Sequence, residues 1–125
     1  IVNKNTAFRK GFCMNNRELG EFGENVAVQY LENCGYTIVQ RNYRCRAGEI
    51  DVIAGIHNRL SFIEVKTRRS SEYGRPCEAV ADSKKKHIRA AACSYLHGLK
   101  NEGYAPVDVR FDVMEITIEH IEGAF

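Results

Sequence analysis

The sequence predicts an α/β fold in the order α-β-β-β-α-β, with helices flanking a mixed central sheet. Three observations predict it. Two segments carry apolar residues at helical spacing; the runs between them are rich in β-branched and aromatic residues; and a last run alternates apolar with charged residues. With 125 residues the chain has room for one domain with a real core. The expected division is a flexible basic leader over 1–15 and a single domain over 16–125.

The leader, IVNKNTAFRKGFCMN, shows no sustained period and holds Lys4, Arg9 and Lys10 among polar residues. Met14 could serve as an alternative start. NRELGEFGENVAVQYLEN, from Asn16 to Asn33, reads as the first helix, with Asn16 as N-cap and Gly35 as its stop. Its apolar stripe is Leu19, Phe22, Val26 and Tyr30 with Ala27 and Leu31. Gly20 and Gly23 each cost about 1 kcal/mol relative to Ala, so close approach to another backbone is the expected reason for both. YTIVQRNYRCR, Tyr36 to Arg46, reads as a strand. Gly48 to Thr67 reads as a β-hairpin, and Ser83 to Leu99 as a second helix with Ile88, Ala91, Ala92, Tyr95, Leu96 and Leu99 on its apolar side. Gly103 and Pro106 break the chain before a last strand over Val107–Glu119.

The hairpin carries charges where a purely structural strand would carry apolar or neutral residues. A two-residue His57-Asn58 turn, with Asn58 tolerating a left-handed backbone, pairs Ile56 with Arg59. Counting outward sets Asp51 opposite Glu64 and Glu49 opposite Lys66, while Ile50, Val52, Ile63 and Val65 point into a core. Carboxylates facing each other across a ladder are about 5 Å apart. At an effective dielectric of about 20 their repulsion is on the order of 3 kcal/mol. A divalent cation reverses the sign of that term. Magnesium suits the donors, because it takes one or two carboxylates and keeps water in its other positions. A surface ion-pair network is the competing reading, but Glu49, Asp51 and Glu64 outnumber Lys66, whereas such a network tends to balance.

Asp51, twelve residues, then Glu64-Val65-Lys66 matches the D...(D/E)xK pattern of the PD-(D/E)xK nuclease superfamily. The element order resembles that superfamily's restriction-endonuclease-like core. More closely, GEFGENVAVQYLENCGY, RNYRCRAGEIDVIA, FIEVKTR, the lysine-rich start of the second helix and VRFDVMEI resemble the YraN-type family of uncharacterised predicted endonucleases, itself similar to archaeal Holliday junction resolvases. The resemblance runs from about Glu18 to Ile118. It implies that Asp51 and Glu64 are metal ligands, with the Val65 carbonyl as a further ligand and Lys66 as the catalytic lysine. Glu24 matches the resolvases' additional acid. Ile50 stands where the superfamily's name has proline.

The partner expected at such a site is nucleic acid. The formal charge of +2 decides nothing by itself, but basic residues gather at Arg41, Arg44 and Arg46, at Lys66, Arg68 and Arg69, and at Lys84, Lys85, Lys86 and Arg89. Three lysines opening a helix oppose its dipole, which favours phosphate contact over a merely solvated charge run. The expectation is a magnesium- or manganese-dependent endonuclease acting on structured or branched DNA; the alternative is a nucleic-acid-binding module without turnover. Symmetric cutting of a junction would need two active sites, hence a homodimer. Five cysteines without CxxC spacing suggest neither a disulfide framework nor a zinc site, and point to a reducing cytoplasm; no apolar run is long enough to cross a bilayer.

Overall fold

Asn15, not Asn16, caps the first helix in the computed structural model, which describes residues 13–69, 80–106 and 108–125. The Asn15 side chain accepts from the Glu18 N–H at 2.9 Å and the Glu18 carboxylate accepts from the Asn15 N–H at 3.0 Å. Two adjacent asparagines leave the choice to the glutamate three residues on, and Glu18 completes a reciprocal box only with Asn15. Helix α1 (Asn16–Asn33) then runs to Gly35, whose positive φ of 93° lets the chain turn back so that the Tyr36 N–H donates to the Leu31 carbonyl. Residues 1–12, most of the expected leader, lie outside the described residues. Cys13 and Met14 sit beside Arg69, which donates to the Met14 carbonyl at 2.6 Å.

The order is α1, β1 (Thr37–Cys45), β2 (Gly48–Ile56), β3 (Arg59–Arg69), α2 (Asp82–Asn101) and β4 (Asp108–Ile118), as the sequence predicts. The strands form one mixed sheet in the order β1-β2-β3-β4. The first three run as an antiparallel meander, and β4 lies parallel to β3 after the crossover through α2. In β1 the register shifts between Ile38 and Gln40, and Asn42 takes a positive φ of 51°. Helix α2 ends as α1 does, with Gly103 at φ 88° and the Tyr104 N–H on the Leu99 carbonyl.

The helices cover opposite faces. Leu31 packs with Val52, Ala54 and Ile63 under α1, while Ile88, Ala91 and Ala92 of α2 pack with Ile50, Ile53, Leu60 and Phe62. Burying each large apolar side chain contributes about 1.5–3 kcal/mol. Two sequence expectations change here. Ile50 and Val52 do not share a face: Ile50 belongs to the α2 cluster and Val52 to the α1 cluster, because the alternation slips at Asp51. The buried stripe of α1 is Leu19, Gly23, Ala27 and Leu31, leaving Phe22, Val26 and Tyr30 exposed. The cause is a close approach, since a Cβ on Gly23 would run into the Thr67 side chain of β3. Small residues at 23 and 27 let helix meet sheet, and the bulkier neighbours turn outward. Gly20 has nothing within 4 Å of where its Cβ would stand, so close approach explains only one of the two glycines.

The same substitution in the same helix should therefore act in opposite directions. Gly20→Ala is expected to stabilise the fold by about 1 kcal/mol, from helix propensity alone. Gly23→Ala should destabilise it by about 1–3 kcal/mol through overpacking against Thr67. Urea unfolding of both variants beside wild type checks the pair.

Candidate active site

The hairpin closes through His57-Asn58, and Ile56 pairs with Arg59 as counted. The left-handed residue of the turn is His57, at φ 52°, rather than Asn58. From there the β2–β3 ladder runs to Val52 opposite Ile63 and stops. Below that level the strands part. β2 stays paired with β1 down to Gly48 opposite Cys45, and β3 stays paired with β4 out to Arg69 opposite Ile118. Asp51 and Glu64 thus stand at the mouth of a split, not as a directly opposed ladder pair. Glu49 does not face Lys66 either: it pairs with Arg44 of β1 at 3.2 Å, on the outside of the sheet.

Where the ladder ends, a side chain takes over. Asp51 Oδ2 accepts from the Val65 N–H at 2.8 Å. In an extended strand the carbonyl of a residue faces the same neighbour as its N–H, so the Val65 carbonyl is turned towards the gap as well. Glu64 enters from β3 and is buried, with 5 % of its surface exposed. Two ammonium groups converge on its Oε1: Lys84 of α2 at 2.5 Å and Lys66 at 3.6 Å. Lys84, a phosphate contact by sequence, is brought by the docking of α2 onto the buried carboxylate. Three lysines at a helix start were the visible signal, and which one turns inward depends on tertiary packing.

Burial raises the Asp51 pKa from the usual carboxylate value of 3.8 to about 6; the Val65 N–H pulls it down, while Glu64 and then Glu24 push it further up. For Lys84, burial alone would lower the pKa, but contact with Glu64, with Asp51 behind it, overrides this and holds the ammonium above its usual range. Glu24, on α1, is near enough for Asp51 to feel its charge. Its Oε1 accepts from Asn42 at 2.9 Å and from Arg41 at 3.2 Å. Among the described residues no three His, Cys, Asp or Glu side chains form a group that could hold a metal. The residues that could receive a cation are Asp51, Glu64 and, by strand geometry, the Val65 carbonyl, all oxygen donors of the kind magnesium takes.

Most of the basic residues expected at phosphates are engaged within the protein. Arg41 bonds Glu24 and Asn25, Arg44 pairs with Glu49, Arg68 with Glu115 at 2.8 Å, and Lys85 with Asp82 at 3.8 Å. Arg69 holds the Met14 carbonyl. Arg46, Lys86 and Arg89 are exposed.

The pattern that defines the uncharacterised protein family UPF0102 matches residues 23–116, a span that contains Glu24, Asp51, Glu64, Lys66 and Lys84. The chain belongs to UPF0102. A UPF0102 protein of Clostridioides difficile is 44% identical over 117 residues, covering 90% of this chain and all of its own length. One of Clostridium botulinum is 43% identical over 110 residues, 88% of each chain, and one of Alkaliphilus metalliredigens is 45% identical over 102 residues, 82% of this chain and 87% of its own. No helix among the described residues is long and apolar enough to cross a membrane.

The raised Asp51 pKa carries a stability consequence in this UPF0102 member. Between pH 3.8 and about 6 the folded state holds a proton that the unfolded chain has lost, so stability falls as pH rises through about 6. Asp51→Asn keeps an oxygen for the Val65 N–H but cannot ionise. At pH 7.5 it should be more stable than wild type by about 1–2 kcal/mol, after allowance for the solvent that still reaches the group. The gain should vanish by pH 4. Thermal unfolding across that range checks it.

Proposed function

We propose that this protein is a metal-dependent nuclease-like phosphodiester hydrolase acting on structured or branched DNA. The observation that carries the reading is the split between β2 and β3, where Asp51 and the buried Glu64 meet beside Lys66 and Lys84. Lys84 and Lys66 already meet Glu64, but Asp51 still lies in the field of Glu64, and a divalent cation would take both carboxylates as ligands. The resemblance to the PD-(D/E)xK superfamily, through the spacing of Asp51, Glu64 and Lys66, supports the same reading.

Asp51 and Glu64 would hold magnesium or manganese, with the Val65 carbonyl turned to the same gap. When bound, the cation would lower the pKa of a water and neutralise charge on a phosphate. The chain's own residues do the rest. The Val65 N–H fixes Asp51 through Oδ2, so the carboxylate meets its ligand without reorganising. Lys66 lies partly exposed at the edge of the buried carboxylate and can donate to an oxygen on which charge develops. Glu24 adds negative charge from the α1 side and is itself held by Arg41 and Asn42.

A second reading, a nucleic-acid-binding module without turnover, is favoured by one observation: Lys84 already neutralises Glu64. The two readings separate on cleavage. Incubated with magnesium or manganese, the protein is expected to cut at least one of a junction, flap, duplex or single-stranded substrate. Asp51→Asn and Lys66→Ala should each lower the rate about 100-fold or more. Cleavage of none of these substrates, or wild-type rates in both variants, would overturn the hydrolase reading. Calorimetric titration should show manganese binding that Asp51→Asn weakens; salt-dependent DNA binding without turnover would favour the second reading.

A further inference from the structure

Glu64 borders not only the split but also an apolar-walled cleft on the α2 side of the sheet, about 200 Å³ in volume. Its inner wall is Phe62, which is buried. Its rim is Phe111 of the edge strand β4, stacked on Phe62 with ring centroids 5.6 Å apart and planes 26° from parallel. Phe111 is 46 % exposed, as is its neighbour Val113, which pairs in register with Glu64. From α2, the Arg89 guanidinium stands 6.0 Å from the Phe111 centroid, and Lys85 lines the same cleft.

We propose that this cleft is a seat for one unpaired nucleobase, adjoining the phosphodiester bound at Asp51 and Glu64. The inference rests on the nucleic-acid reading of that site and narrows its substrate to DNA carrying an unpaired or displaced base next to the attacked phosphate. The chemistry matches on three sides. A half-exposed ring gives a flat π-surface for a base of any identity, as in sites that bind single strands. The Arg89 guanidinium over the ring adds a cation to the stack and complements a flanking phosphate, and Lys85, exposed and held only by a 3.8 Å contact with Asp82, can turn to the same phosphate. Glu64, shared by both spaces, fixes the base seat directly beside the reacting centre. A base inside a continuous duplex has both faces covered, so a blunt duplex cannot fill the seat without extruding a base.

The test compares a gapped DNA with a blunt duplex of equal length, measured by fluorescence anisotropy at fixed salt without divalent metal. Phe111→Ala should weaken binding of the gapped DNA about ten-fold, as expected for the loss of one stacked base, and leave the duplex within about two-fold of wild type. Phe111→Leu, which keeps bulk but has no ring face, should behave as Phe111→Ala, and Phe111→Tyr should restore binding. The fluorescence of 2-aminopurine at the unpaired position should be quenched by wild type and not by Phe111→Leu. Unchanged affinity of both phenylalanine variants for gapped DNA would overturn the seat and leave the proposed function standing. Equal loss on both DNAs would also overturn it, by assigning Phe111 a structural role. If wild type binds neither DNA, the nucleic-acid reading itself falls, and the seat with it.

Discussion

The site depends on one interruption of backbone pairing. β2 and β3 are held together from their turn to Val52 and Ile63, then each follows a different neighbour. A gap in a sheet would ordinarily leave polar backbone groups without partners, at a cost comparable to a lost hydrogen bond for each. Asp51 offsets part of that cost by accepting from the Val65 N–H. The carboxylate is therefore a structural element before it is a candidate ligand, and its position is set by the requirement to end a ladder. The slip in alternation between Ile50 and Val52 is the backbone's side of the same arrangement, because it sends the two residues into different cores.

Charge balance around Glu64 follows from burial. An ionised carboxylate with so little exposed surface needs compensation, and two lysines from different elements supply it at one oxygen. Lys66 comes with the strand, two residues on, so its presence is local. Lys84 comes with α2, and its contact ties the first turn of that helix to the sheet. Glu64, two residues after Phe62 on β3 and opposite Val113 of β4, also lines the apolar cleft, so one side chain links the charged and the aromatic parts of this face.

The element order, the hairpin turn and the pairing next to it were legible in the sequence, because periodicity and turn length are local properties. So was the grouping of Asp51, Glu64 and Lys66, which needs only the spacing along two adjacent strands. The split was not legible: outward counting assumes that a ladder continues, whereas β2 and β3 each find a better partner among β1 and β4. For the same reason Glu49 lies on Arg44 and not opposite Lys66. In α1 the large apolar residues Phe22, Val26 and Tyr30 outweighed the small row in the pattern, although contact with Thr67 selects the small row. Of the basic residues, sequence could locate the groups but not their pairing, since Arg41, Arg44 and Lys84 meet acids brought near only by folding.

The two outer strands also differ as edges. β1 changes register between Ile38 and Gln40 and turns left-handed at Asn42, so its free row of amides and carbonyls is broken twice. Irregularities of this kind protect a sheet from edge-to-edge aggregation. β4 pairs with β3 without a shift over eleven residues, so among the described residues its other side lacks the interruptions of β1. By shape alone, the β4 edge rather than the β1 edge is the side of this sheet better suited to accept a further strand.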